Sequence, residues 1–302
     1  MEREKRSPRQ TGPRGGTASP HTPVAGERKG RGASRLAVYG ALLGVLALSG
    51  CQDFFVYHPT RQQEQVLLSV ASERGLEAWK PGGGERIGWY APSKIPGEAQ
   101  RVLIFHGNGG QAIDRIHYVR GFQGSVASGS WDVYILEYPG YGSRSGDPGE
   151  QAILKAASEA VEALLDKDPE KPVYLVGISL GSGVASQTAA AFSEAVPALL
   201  LITPFTSLED AGAASFPRPL VRLILRDRYD SSAALARYRG RLAVLLAGED
   251  RIVPSQLGEE LYAGYDGPKR LWIQETAGHN TLDFSPLSPF WREVTRFLLE
   301  GA

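Results

Sequence analysis

Several stretches of the chain are dominated by apolar residues and lack the alternation of a one-sided strand: RVLIFH (101–106), WDVYILEY (131–138), PVYLVGI (172–178), PALLLIT (197–203), LAVLLAG (242–248) and RLWIQET (270–276). Runs of this length and character fit strands covered on both faces, as in a parallel sheet sandwiched between helices. The segments between them have helical periodicity. Residues 149–167 place Ile153, Ala156, Ala157, Ala160, Val161, Leu164 and Leu165 at spacings of three and four, which makes one apolar face. Residues 180–192 are rich in alanine, and 287–299 gather Phe290, Val294, Phe297 and Leu298 on one side. Repeated alternation of strand and helix predicts a doubly wound α/β domain over about 52–302.

The chain before this domain is built differently. Residues 1–35 carry nine Lys/Arg against three acids and are rich in Pro, Gly, Ser and Thr, a composition that cannot bury enough apolar surface to order itself. Residues 36–50, LAVYGALLGVLALSG, carry no charge and are too short for a comfortable transmembrane span. A basic flank before a short apolar run has the layout of a signal peptide. The run ends in LSGC, which resembles the bacterial lipobox, with Cys51 as the acylated residue and small residues before the cut. Cys51 is the only cysteine, so no disulfide framework accompanies the export signal. The leader is long for such a signal, and a start at Val24 accounts for the excess. The expectation is a lipoprotein of the bacterial cell envelope, tethered to a membrane by Cys51.

Charge narrows the partners. The chain is neutral overall, the leader is +6, and the body from Cys51 onward is therefore −6. A body without basic excess is not built to neutralise phosphates, so nucleic acid is not an expected partner.

In an open parallel sheet, ligands bind beyond the carboxyl ends of the strands. Four of the predicted strands end in chemically telling residues: HGNGG follows RVLIF, Ser179 lies in LVGISLGSG, Glu249 and Asp250 follow LAVLLAG, and Gly278 and His279 follow RLWIQET. A serine, a carboxylate and a histidine at one sheet edge, in that order, form a nucleophile–acid–base constellation. Ser179 is the only serine in a Gly-x-Ser-x-Gly context, between Gly177 and Gly181, where side chains would collide across a tight strand-to-helix turn. Read alone, it could equally cap a structural helix. Of the five histidines, His21 lies in the leader, His58 precedes the core, and His117 falls in a helix as a surface or packing residue. That leaves His106, in HGNGG, and His279, on the loop after the last strand, as candidates for the base. For the acid, Glu249 competes with Asp250.

These motifs together resemble the α/β-hydrolase superfamily over about 240 residues. GISLG stands as the nucleophile elbow, AGEDRIVP holds the acid, AGHN the histidine and HGNGG the oxyanion loop, while EYPGYGSRSGDPG resembles the loop after the fourth strand of small members. The likeness is greatest to the compact branch of acyl-protein depalmitoylases (thioesterases), lysophospholipases and monoacylglycerol lipases. It implies catalysis by Ser179, Asp250 and His279, with Asp250 preferred over Glu249. It implies an oxyanion hole from the backbone N–H of Leu180 and of Asn108, with Gly109 second, and His106 shaping its loop. The implied substrates are small acyl esters or thioesters.

Residues 204–241 stand where lipases of this fold insert a lid. The segment is short and includes the run PLVRLILR (219–226), which either forms one apolar helix bordering an acyl pocket or simply packs on the sheet. No Cys/His metal spacing, Walker loop or dinucleotide fingerprint is present, so no cofactor or metal is expected. Two competing functions remain: a non-catalytic binding lipoprotein on a hydrolase scaffold, and a serine peptidase. For the anchor, metabolic labelling with a radioactive fatty acid is expected to mark the wild type and not Cys51→Ala; equal labelling of both rules the anchor out.

Overall fold

A computed structural model describes residues 52–95, 99–124 and 130–300. The leader, the apolar segment 36–50 and Cys51 lie outside the described residues. The elements in chain order are helix α1 (Gln52–Val56), strand β1 (His58–Pro59), α2 (Glu64–Arg74), β2 (Glu77–Trp79), β3 (Gly88–Ala91), β4 (Gln100–Phe105) and β5 (Gly109–Gly110). Then follow α3 (Ile116–Gly124), β6 (Trp131–Leu136), α4 (Glu150–Lys167), β7 (Val173–Ile178), α5 (Leu180–Ala191) and β8 (Ala198–Ile202). The chain continues with α6 (Leu208–Ala213), α7 (Arg218–Ile224), α8 (Ser231–Leu235), β9 (Arg241–Ala247), α9 (Ser255–Ala263), β10 (Lys269–Gln274) and α10 (Pro289–Leu299).

Eight strands form one sheet in the order β10-β9-β8-β7-β4-β6-β3-β2. From β10 to β6 all neighbours are parallel, while β3 pairs antiparallel with both β6 and β2. The apolar runs are continuous because alternate residues serve two cores. Leu103, Phe105, Val173, Leu175, Leu199 and Leu201 pack under α4, α5, α8 and α9. Val102, Ile104, Tyr174, Val176, Leu200 and Ile202 pack under α2, α3 and α10. The predicted parallel, doubly wound sheet is therefore present, with strand limits moved by one or two residues.

The strand order places the site. From β4 the chain crosses first to β6 on one side, then returns to β7 on the other. Loops leaving β4 and β7 diverge at this switch point and leave a crevice between them.

Two segments add detail to the sequence reading. The segment before β4 holds more structure than its composition suggests. β2 and β3 are short edge strands, and β1 is two residues long, its partner β5 lying inside HGNGG. Between β8 and β9, the first of the two alternatives for PLVRLILR is the one observed: it forms a helix that lines a cavity. PLVRLILR contributes to the seven-residue α7, which ends at Ile224, and α6 precedes it. Within 204–241, helix α8 packs into the body, with Ala234 and Leu235 buried, while α6 and α7 stand at the cavity.

Close helix packing sets one clear limit on sequence. A Cβ on Gly121 of α3 would sit inside the indole ring of Trp291 of α10. Gly121→Ala is expected to cost about 1–3 kcal/mol of stability by overpacking. The readout is a lower urea midpoint at unchanged denaturant slope; an unchanged midpoint contradicts the packing.

Candidate active site

Ser179 is the residue between β7 and α5, with φ 52° and ψ −118°. A positive φ is rare for a side-chain-bearing residue and marks stored strain. The neighbouring glycines allow the turn. A Cβ on Gly177 would lie 2.6 Å from Cα of Ser182, and one on Gly181 would lie 2.6 Å from the carbonyl oxygen of His106. The Ser179 N–H donates to Ile202 at 2.9 Å, tying the turn to β8.

The loops after β9 and β10 are joined by the Glu249 N–H, which donates to Ala277 O at 2.9 Å. This bond uses the backbone of Glu249 while its side chain stays exposed. The next residue points inward. Oδ1 of Asp250 accepts the N–H groups of Ile252 (2.9 Å) and Val253 (2.8 Å). Oδ2 is thereby left to accept from His279 Nδ1 at 2.6 Å. With its proton on Nδ1, His279 has an unprotonated Nε2, which lies 3.0 Å from Ser179 Oγ and can accept the hydroxyl proton. Of the two competing acids, only Asp250 meets the histidine. Its side chain is almost wholly buried and that of His279 is 10% exposed, so the pair is screened little by solvent.

Leu180 begins α5, where the first helical N–H groups lack intrahelical acceptors and the helix dipole favours negative charge. Asn108 and Leu180 line a cavity together with Ser179; Gly109 does not line it and belongs to β5. The Asn108 loop is held by groups that the sequence did not single out. Its carbonyl oxygen accepts from the His58 N–H at 2.9 Å and from the Tyr141 hydroxyl at 2.7 Å. Its side-chain amide donates to Val56 O at 3.0 Å. Residues 56–60 thus form a strap across the loop, and Tyr57 fastens the strap to the cap side through Asp227 and Tyr229. His58, expected merely to precede the core, is part of this strap. Its signal in sequence was one of position only: an aromatic run with no strand of its own.

Behind the loop lies a buried polar cluster. His106 stacks on Tyr138 and turns Nδ1 to Gly107 O at 2.7 Å. Its Nε2 faces the Glu137 carboxyl at 3.9 Å. Glu137 accepts from the Ala112 N–H at 2.9 Å, and Arg86 lies 3.8 Å away, itself bridged to Glu64. Burial pushes His106 down to about 3, aided by the Arg115 charge, so its imidazole is neutral. Burial also pushes Glu137 up to about 7, against the opposing pull of the Ala112 N–H and Arg86. His106 thus supports the loop and does not reach Ser179. His117 packs against Tyr118 and Phe284.

The cavity at Ser179 measures about 400 Å³. Its wall is apolar: Val56, Phe205, Leu208, Val221, Leu225 and Val253 face it, so both cap helices take part. Among the described residues, no group of three or more His, Cys, Asp or Glu could hold a metal ion.

Residues 100–220, from β4 into the cap and including Ser179, match the sequence model of the alpha/beta hydrolase fold. The uncharacterized protein Rv2307c of Mycobacterium tuberculosis is 34% identical over 223 residues, which span 72% of this chain and 77% of that one. The chain belongs to the alpha/beta hydrolase family. Lysophosphatidylserine lipase ABHD12 of Danio rerio is 27% identical to this hydrolase over 217 residues, 66% of this chain and 56% of that protein. Among solved structures, the Pyrococcus furiosus esterase Pf2001 shares the fold with a TM-score of 0.59 at 18% identity, over 80% of this chain and 96% of the esterase.

Glu137 makes stability depend on pH in a defined direction. Its folded pKa lies above the unfolded value, so the fold binds its proton more tightly than the unfolded chain does. The stabilisation is fully present below about pH 4.5 and is lost as pH rises through about 7. Relative to Glu137→Gln, which does not titrate, the wild type is expected to lose about 3 kcal/mol across that interval. Urea unfolding at a series of pH values measures this, and a pH-independent difference between the two proteins contradicts it.

Proposed function

We propose that this protein is a serine hydrolase that cleaves carboxylic ester or thioester bonds of apolar acyl groups through an acyl-enzyme. The hydrogen-bonded series Asp250–His279–Ser179, opening onto an apolar cavity, carries this reading. In the proposed cycle, His279 Nε2 takes the Ser179 proton as Oγ attacks the acyl carbonyl carbon. The resulting oxyanion is received by the N–H groups of Leu180 and Asn108. Collapse breaks the bond to the leaving oxygen or sulfur, which takes the proton from His279. Water then attacks the acyl-Ser179 ester, gives a proton to His279, and the acid departs as Ser179 regains its hydrogen. Asp250 keeps the imidazole oriented and stabilises its transient positive charge.

The cavity wall favours a hydrocarbon chain over a polar acyl group, since it offers few side chains to pair with polar atoms. Family membership supports hydrolysis, and relatives named as a lipase and an esterase support an ester substrate of lysophospholipid or related type. Acylation of Cys51 would hold this activity at the cell envelope; that part of the reading rests on residues 36–51 alone.

A fluorophosphonate probe is expected to label the wild type on Ser179 and to leave Ser179→Ala unlabelled. On a chromogenic acyl ester, Ser179→Ala should lower kcat by on the order of 10⁵–10⁶-fold and Asp250→Asn by on the order of 10⁴-fold. A wild type that takes no label points to the binding scaffold. Label that persists in Ser179→Ala removes Ser179 as nucleophile, and preferential cleavage of peptide amides makes the protein a peptidase.

A further inference from the structure

We infer that the rim of the Ser179 cavity is a docking face for a phospholipid bilayer, from which the enzyme draws its acyl substrate directly. This deepens the reading of Ser179 as a hydrolase site. Four of the most exposed large apolar side chains line that one cavity: Phe55 at 60%, Phe216 at 56%, Ile252 at 55% and Leu220 at 40%. They come from three separate segments: α1, the cap, and the loop after β9. A single amphipathic helix cannot account for this convergence, because each segment brings its own apolar residue out to the same mouth. Leu223 extends the rim at 45% exposure, and within α7 Leu220 and Leu223 follow the i, i+3 spacing of one helical face, with Phe216 just before the helix.

A monomeric soluble enzyme gains nothing by holding such side chains in water, and contiguous exposed apolar surface marks an interaction site. The surrounding chemistry fits lipid. In PRPLVRLILRDR (217–228), Arg218, Arg222, Arg226 and Arg228 interleave with the leucines, the composition of a segment lying in the plane of a membrane interface. Arg218 and Arg222 also reach Glu209 at 2.9 and 2.8 Å and so pin α7 to α6, which keeps the stripe in place.

The chain itself enters at this rim. Oε1 of Gln52 accepts the N–H of Arg226 and, at 3.2 Å, that of Asp227, just after α7. The fifteen residues 36–50, which carry no charge, end two positions earlier. An apolar segment bound to a bilayer would therefore deliver its following chain to the cavity mouth. With the rim seated among lipid chains, the cavity opens into hydrocarbon, and an acyl chain enters without crossing water.

The test uses the full chain in a Cys51→Ser background, with Leu223→Cys or Leu287→Cys carrying an environment-sensitive fluorophore. Leu287 is 93% exposed, does not line the cavity, and follows Pro286, which sits against Gly124 of α3. With vesicles of phosphatidylcholine and phosphatidylglycerol, the label at 223 is expected to shift to the blue and to be quenched by lipids brominated along their chains. The label at 287 should stay in water. The inference is overturned if the protein does not sediment with vesicles. It is equally overturned if 223 stays in water on bound protein, or if 287 is quenched as strongly as 223. A label at 223 already shielded before vesicles are added overturns it as well, in favour of segment 36–50 or, if dilution reverses the shielding, of a second copy.

In the otherwise wild-type chain, Leu223→Glu should slow hydrolysis of a long-chain ester held in vesicles by at least about tenfold, the loss that one buried leucine accounts for. It should leave a short water-soluble ester untouched, since Leu223 does not line the cavity. Equal rates on the vesicle ester contradict docking. If the wild type cleaves neither ester, the hydrolase reading fails while the fluorophore still reports on the rim.

Discussion

The site depends on how closely α5 approaches β4. Gly181 touches the carbonyl groups of Phe105 and His106 with no Cβ between, and that contact brings the end of β7 against the end of β4. The strained backbone of Ser179, the start of α5 and the Asn108 loop all derive from this one approach. Any larger residue at Gly177 or Gly181 would push the helix away and separate Leu180 from Asn108. The strain at Ser179 is tolerated because the strand before it and the helix after it are both buried, and each holds the turn from its own side.

A second constraint is the polar cluster behind the loop. A carboxyl, an imidazole and a guanidinium without exposed surface are costly to bury unless each meets a partner. Here the partners are largely backbone and aromatic groups: Ala112 N–H for Glu137, Gly107 O and Tyr138 for His106, and the Trp89 ring under Arg86. The cluster gives the loop one arrangement instead of several, which the proposed oxyanion site requires, since its donors must already be aimed when charge develops.

The central sheet and the helices flanking it were legible because burial on both faces leaves a plain signature, unbroken apolar runs such as PALLLIT separated by helix-length segments. Ser179, Asp250 and His279 could be picked out because each directly follows such a run. The strap could not be. β1 and β5 are two residues each, and neither HPT nor GG has strand character; each exists because the other is beside it. Glu137 was equally hidden, because a single acid at the end of a strand looks like a solvated charge until the fold encloses it. The extent of the cap helix was not legible either. PLVRLILR has the apolar content of a longer helix, but the chain leaves the helix at Leu225 in an extended conformation.

The strap has a consequence for how the enzyme comes to life. Val56 and Asn108, joined by a side-chain hydrogen bond, stand 52 positions apart in the chain. Closing a loop of that length costs entropy before any bond returns it, and contacts of wide sequence separation form late. The strap emerges before its partner during synthesis, yet strand β5 cannot receive it until β4 has found its place in the sheet. Competence should therefore trail compactness. A chain with its sheet and helices already assembled would have Ser179 in position and the Asn108 loop still unfastened, so the proposed activity would wait for residues 56–60 to dock.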